Sequence, residues 1–276
     1  MEKSLKKVGL IILDYKKADR VCENVNKIVS YKCNFDLEIL VADNSCDKKN
    51  AKKLKKLNKY KNVRIIIFNK NLGFTKAHNL ALKGYQYDYL FIVNPDIIIK
   101  DENLLNSMVE YMEKNQTVAI LGPKQINDDG SMVKTARNWP NPFTQVFRRT
   151  FLKHLPIIKT IVANDELDFY KYDKILDVPW IQSSFNLVRF DFFRKAGGLN
   201  EKYFMFMSDS ELAFQAWKAG FKVQVNPKFT VYADGIRVSS GGFIAFFKKW
   251  TMRTHLVDSL KYFFSHLFEK NPFKLD

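Results

Sequence analysis

Several polar clusters in this 276-residue chain stand where apolar runs stop, and each carries side chains able to hold an ion, a phosphate or a proton. Asn94-Pro95-Asp96 follows the apolar run Tyr89 to Val93. Pro95 fixes the backbone there, so the Asp96 carboxylate, with Asn94 beside it, can meet a divalent cation bridging diphosphate oxygens. Hard ions such as Mg2+ or Mn2+ prefer oxygen ligands and keep waters, so one protein carboxylate plus substrate phosphates suffices. The same tripeptide is also an ordinary turn. Asp43-Asn44-Ser45, after Val41, offers acceptors for a base or ribose, or simply a turn. Asn69 to Phe74 leads into a helix with Ala77, Asn79, Leu80 and Ala81, stopped by Gly84, and Gly73 permits close approach of backbone to a ligand. Asp14 and Tyr15 close the first apolar run. Asp209 and Glu211 stand where another helix begins; they either complement its dipole or place a base that can take a proton from a hydroxyl.

The elements that must carry these clusters read as an α/β chain. Val8 to Leu13, Leu37 to Val41, Val63 to Phe68 and Tyr89 to Val93 are short branched or aromatic runs, separated by stretches that hold helices. That alternation predicts a largely parallel sheet, whose ligands sit at the carboxyl ends of its strands. After Asp101, expected as an N-cap, Leu104, Leu105, Met108, Val109 and Met112 mark a helix, and Val118 to Leu121 a further strand. Asn127 to Asp177, with Arg137, Arg148 and Arg149 among turn residues and aromatics, shows little regular pattern and is expected to cover the site as a loop-rich region.

With 46% hydrophobic residues the chain can bury a substantial core. No apolar run is long enough to cross a bilayer and no cleavable signal follows Met1, so a cytosolic protein is expected. Cys22, Cys33 and Cys46 have neither metal-ligand spacing nor an even count, which argues against a disulfide framework. The net charge of +16 would attract phosphates, nucleic acid or an anionic membrane surface. Much of it lies between Lys48 and Leu57, where Ala51, Leu54 and Leu57 recur on one stripe, the pattern of a helix with a solvated lysine face. No nucleic-acid motif accompanies it. From Phe243 on, Phe243, Phe247, Trp250, Val257, Leu260, Phe264 and Leu267 share one helical face and Lys248, Lys249, Arg253 and Lys261 fall elsewhere, a basic amphipathic tail that either packs on the core or meets a membrane.

In this order the clusters resemble the family 2 glycosyltransferases of the A-type fold, from about Val8 to at least Ser240. Asp14-Tyr15, Asp43-Asn44-Ser45, Asn71-Leu72-Gly73-Phe74 with Asn79, and Asn94-Pro95-Asp96 match the nucleotide-binding half. Val178 to Arg189, Gly197 to Asn200 and the aromatic run to Asp209 match the acceptor half, with Trp180 and Glu211 on the acceptor side. The chain is most similar to bacterial rhamnosyltransferases that use dTDP-L-rhamnose. That resemblance implies a nucleotide-diphosphate sugar as donor, a glycan or polyprenyl-linked acceptor, and work at the inner face of the cell membrane. It makes Asp43 a nucleoside ligand, Asp96 the metal ligand and Asp209 the base of an inverting transfer. Arg237 is a candidate partner of the donor diphosphate or a structural ion pair. A UDP-hexose donor, or a non-catalytic scaffold, is the alternative. Ser208, Ala233 and Ser183 depart from the Glu, His and Gly usual at those positions. The expected organisation is a glycosyltransferase domain over 1–240, split near residue 122 into nucleotide and acceptor halves, and a tail over 241–276; the sequence leaves a homo-oligomer open.

Overall fold

The four leading apolar runs become strands because each is branched or aromatic and flanked by polar turns: β1 (Lys7–Asp14), β2 (Asp36–Asp43), β3 (Val63–Ile67) and β4 (Tyr89–Val93). The computed structural model describes residues 5–147, 150, 155–235 and 250–274. Helices α1 (Ala18–Ile28), α2 (Lys48–Leu54) and α3 (Gly73–Ala81) make the crossovers, and β1 pairs in parallel with both β2 and β4. Both faces of the sheet are covered. On β1, Val8, Leu10 and Ile12 join one core cluster and Ile11 the other. Gly9 gives room to Tyr87, whose ring a Cβ there would meet at 2.6 Å.

Asp47 caps α2, accepting from the Lys49 and Asn50 amides, and Leu54 and Leu57 are buried while the lysines face outward, so this stretch is a solvated helix face. A two-residue strand β5 (Ile97–Ile98) follows the Asn94-Pro95-Asp96 turn. Next comes α4 (Leu104–Lys114). Asp101 does not cap it: its carboxylate accepts from the Asn103 amide at 2.9 Å, forming a turn one step ahead, and Asn103 takes the cap position without a side-chain bond.

The chain then forms β6 (Val118–Asn127), β7 (Met132–Val133), β8 (Ala136–Arg137), α5 (Pro142–Phe147), α6 (Pro156–Asp165), β9 (Leu176–Asp177), β10 (Trp180–Ile181), β11 (Phe185–Arg189), α7 (Phe190–Lys195), α8 (Ser208–Lys218), β12 (Lys222–Ala233) and α9 (Trp250–His266). The expectation of little regular structure over 127–177 is therefore corrected by two helices. Both helices are short, and α6 buries no residue fully. The main sheet runs β3-β2-β1-β4-β11-β6-β12-β5, with β11 antiparallel to both β4 and β6 and β6 parallel to β12. A strand from late in the chain thus lies between two early ones, and both halves share one sheet.

The tail helix packs by the face opposite to the apolar one. Met252, His255, Asp258, Ser259 and Tyr262 are buried, whereas Trp250, Val257, Leu260, Phe264 and Leu267 are 39–67% exposed. The helix thus packs on the rest of the protein while its apolar stripe stays exposed. The buried polar groups are tolerated because they are bonded: Asp258 accepts from the amides of Phe204, Met205 and Phe206 at 3.0–3.2 Å. Phe243, Phe247, Lys248 and Lys249 lie outside the described residues. No described helix is long and apolar enough to cross a membrane.

Candidate active site

Parallel register brings the early clusters to one edge. Asp14 pairs with Asp43 at the ends of β1 and β2, and Ile12 with Val93 one residue short of Asn94. Because β11 runs the other way, its start lies at that same edge, where the Asn94 amide donates to the Ser184 carbonyl at 2.8 Å. The ends of β6 and β12 complete the rim with Gln125, Asn127 and Ala233. A cleft of about 740 Å³ opens there.

One wall carries Tyr15, Lys17, Asn44, Asn71, Gly73, Asn94 and Asp96. Asn44 ties two of its loops: its amide donates to Asn71 Oδ1 at 2.9 Å and to the Gly73 carbonyl at 3.1 Å, and its oxygen accepts from the Leu72 amide at 2.8 Å. Gly73, at φ +77°, lies against the Phe204 carbonyl, which a Cβ would meet at 2.4 Å. Burial raises the Asp96 carboxyl above the usual value, opposed by Lys17, which is itself paired with Asp234 at 2.6 Å. Arg20 Nε donates to the Asp96 carbonyl at 3.2 Å and fixes that turn. No group of three or more His, Cys, Asp or Glu gathers as a metal cage among the described residues. The Asp96 carboxylate, in the cleft lining with Asn94 beside it, fits a hard cation that takes its other ligands from phosphates and water.

The later part of the chain lines the cleft with Arg137, Trp180, Gln182, Ser183, the loop Met205 to Met207, Ser208 and Asp209, a second wall. Asp209 stands in the first turn of α8, just after Met207, which holds a left-handed φ of 65°. Its two oxygens accept from the Ser183 amide at 3.2 Å and from the Ser210 amide at 2.9 Å. Burial nevertheless dominates and pushes its carboxyl up to about 6. Such a group is ionised near neutral pH yet basic enough to take a proton. Ser208 and Ala233 border the same cleft.

Not every residue nominated from the sequence reaches it. Asp14 is fully buried, accepting from the Lys17 amide at 3.0 Å and from Asn50 Nδ2 at 2.5 Å, so it closes the turn into α1 instead of lining the cleft. Asn79 grips the Leu199 backbone, donating to its carbonyl at 2.7 Å and accepting from its amide at 2.9 Å, away from the cleft. Glu211 is held outside the cleft, where Tyr203, Gln215 and, from the tail helix, His266 meet its carboxylate at 2.8–3.0 Å. None of these three side chains lines the cleft, and each bonds neighbouring groups of the protein. Asp43 is fully buried beneath the wall, one oxygen taking the Ser45 amide at 2.9 Å and Oδ2 lacking a hydrogen bond. Arg237 lies outside the described residues. Sequence reasoning missed Lys17 and His255, both of which line the cleft. Lys17 stood next to a strand-end cluster but is one of 45 basic residues, and His255 comes from the tail by tertiary packing alone.

The family model described as Glycosyl transferase family 2 matches residues 10–171, more than half of the chain. The chain is 27% identical over 197 residues to the rhamnosyltransferase WbbL of Escherichia coli K12, covering 69% of each. It is 25% identical over 178 residues to an N-acetylglucosaminyl-diphospho-decaprenol L-rhamnosyltransferase of Mycobacterium tuberculosis, covering 59% of this chain and 56% of that one. Among solved structures, a mannosyltransferase from Pyrobaculum calidifontis in complex with GDP-Man and Mn2+ superposes with a TM-score of 0.64 at 16% identity, over 99% of this chain and 68% of that one. S. aureus TarS in complex with UDP-GlcNAc gives 0.55 at 18% identity, over 85% and 61%. At these identities the structures show the fold, the A-type α/β arrangement.

Proposed function

The chain belongs to glycosyl transferase family 2, and on that premise we propose that it moves L-rhamnose from dTDP-L-rhamnose to a lipid-linked or polysaccharide acceptor by one inverting displacement. The observation that carries this reading is that Asp96 and Asp209, 113 residues apart in sequence, line one cleft. The nucleoside end lies toward Asp43, Asn44, Asn71 and Gly73, with Tyr15 on the rim. Asp96, supported by Asn94, holds the divalent cation, which when bound supplies positive charge against the departing diphosphate. Asp209 takes the proton of the acceptor hydroxyl while that oxygen attacks the anomeric carbon; the bond to the diphosphate breaks and its electron pair leaves with the nucleotide. With its carboxyl near 6, Asp209 is ionised at neutral pH and needs no further activation. On this reading Asn94, Asp96 and Lys17, all in the cleft lining, serve the donor side of that bond, and Trp180, also in the lining, serves the acceptor side.

The exposed stripe Trp250, Val257, Leu260, Phe264 and Leu267, with Arg253 and Lys261 on the same helix, supports contact with the inner, anionic face of a membrane, where a polyprenyl-linked acceptor would be met. Anionic liposomes should float the intact protein and not a variant with these apolar residues changed to Ser. The transfer itself is tested by incubating the protein with dTDP-L-rhamnose, UDP-hexoses and Mn2+ and following nucleotide diphosphate release. Release should be fastest from dTDP-L-rhamnose. Faster release from a UDP-hexose reassigns the donor, and none from any donor leaves a scaffold.

A further inference from the structure

On the reading that this cleft transfers a sugar, we infer that Arg137 and Glu166 form the subsite that reads the ring hydroxyls of the acceptor sugar. Arg137 is 5% exposed and lines the cleft. Its Nη1 lies 3.1 Å from Glu166 Oε1, yet neither Nε nor Nη1 has a hydrogen-bond acceptor among the described residues. A buried donor without an acceptor costs about 1–3 kcal/mol, so a guanidinium in this state is a site awaiting lone pairs.

Charge decides what should supply them. Glu166 already neutralises Arg137, and Asp165, Glu166 and Asp209 all border the same cleft. A phosphate at this point would meet a guanidinium whose charge Glu166 already balances, on the same side of the cleft as the Asp209 carboxylate, and like charges at close quarters repel. A neutral sugar suits both partners, because its hydroxyl oxygens accept from the guanidinium and its hydroxyl protons go to the carboxylate. An ion pair that served only to join β8 to α6 would not need to face the cleft.

The frame is rigid and tied to the base. Arg137 lies opposite Trp180 in the two-stranded ladder of β8 and β10, and Trp180 also lines the cleft, offering an apolar surface beside the polar pair. Tyr172 holds the Ala136 amide at 2.8 Å. The Gln182 amide donates to the Thr135 carbonyl at 3.0 Å, and the next amide, that of Ser183, donates to Asp209. The pair is thus held at a fixed offset from the carboxylate that takes the hydroxyl proton.

The experiment measures methyl glycoside binding by saturation-transfer NMR, using wild type and Arg137→Gln with dTDP or UDP and Mn2+ present. The panel is the methyl glycosides of glucose, N-acetylglucosamine, mannose and rhamnose, with the monodeoxy analogues of each that binds. Wild type should bind at least one parent glycoside, and Arg137→Gln should weaken it tenfold or more while nucleotide affinity stays within twofold. One deoxy analogue should lose affinity in wild type but none further in Arg137→Gln, the coupling expected when the missing hydroxyl is the one read. The inference is overturned if wild type binds no glycoside, if parent and deoxy glycosides weaken equally in the variant, or if pyrophosphate in EDTA displaces the glycoside from wild type alone. Absence of nucleotide binding in these samples would instead defeat the functional reading.

Discussion

The two walls of the cleft are built by different means. The first is made of strand ends: parallel register alone sets Asp14, Asp43 and Asn94 side by side, and local turns such as Asp43 to Ser45 finish it. The second is made of loops held by side chains from far along the chain. Asn79 holds Leu199 from 120 residues away, Asp258 holds the amides of Phe204 to Phe206, and Glu211 is clasped by His266. A wall of strand ends inherits the stability of the sheet core, whereas a wall of capped loops is as firm as its caps. The donor side should therefore tolerate surface change, and the acceptor side should respond to substitutions that touch no substrate.

The largest effect should fall on the base itself. Asp209→Asn should reduce transfer about a thousandfold, since a general base supplies roughly 10²–10⁴-fold, with melting temperature little changed. Removing a support should instead cost stability and acceptor-side order together. Asp258→Ala leaves three amides without their acceptor and should destabilise by about 3 kcal/mol, a fall in melting temperature on the order of 10 °C, read by calorimetry. Activity should drop further than unfolding explains, because Met205 and Phe206 line the cleft. Asn79→Ala should cost less, about 1–2 kcal/mol, for the loss of one doubly bonded amide. If both variants lower donor affinity as much as acceptor affinity, the walls are not independent and the contrast fails.

Acidity gives the smallest and most graded test. Asp209 must be ionised to act, so kcat/KM should rise about tenfold per pH unit below about 6 and level above it. The native state keeps this proton to higher pH than the unfolded chain, with its ordinary value of 3.8, so the group's contribution to stability falls as pH rises between those values. A limb near pH 4 would mean that Asp209 is not held as described.

The same contrast explains what could be read from residue order. Asn94-Pro95-Asp96 was legible because an apolar run and the turn that ends it are neighbours in sequence, and the α/β alternation follows from the same local signals. Asp14, Asn79 and Glu211 stand in the same motifs but outside the cleft lining, since position in a motif does not say whether a side chain faces the cleft or braces it. Only the fold shows that Asn79 meets Leu199. The tail's apolar stripe left open whether it packs on the core or meets a membrane; the face that is buried is the other one, where Asp258 accepts from three amides. Nothing in the spacing of α9 announces partners that lie more than fifty residues earlier.

The central claim is that Asp96 serves the donor and Asp209 the acceptor across one cleft. Calorimetric titration of dTDP-L-rhamnose with Mn2+ into Asp96→Asn and Asp209→Asn, beside wild type, separates the two. The account predicts that the first variant loses the Mn2+-dependent part of binding and the second keeps wild-type affinity within about twofold while failing to transfer, since one unit of ΔG near 1.4 kcal/mol is already tenfold. Equal loss of donor affinity in both variants, or undiminished Mn2+-dependent binding in Asp96→Asn, would contradict it.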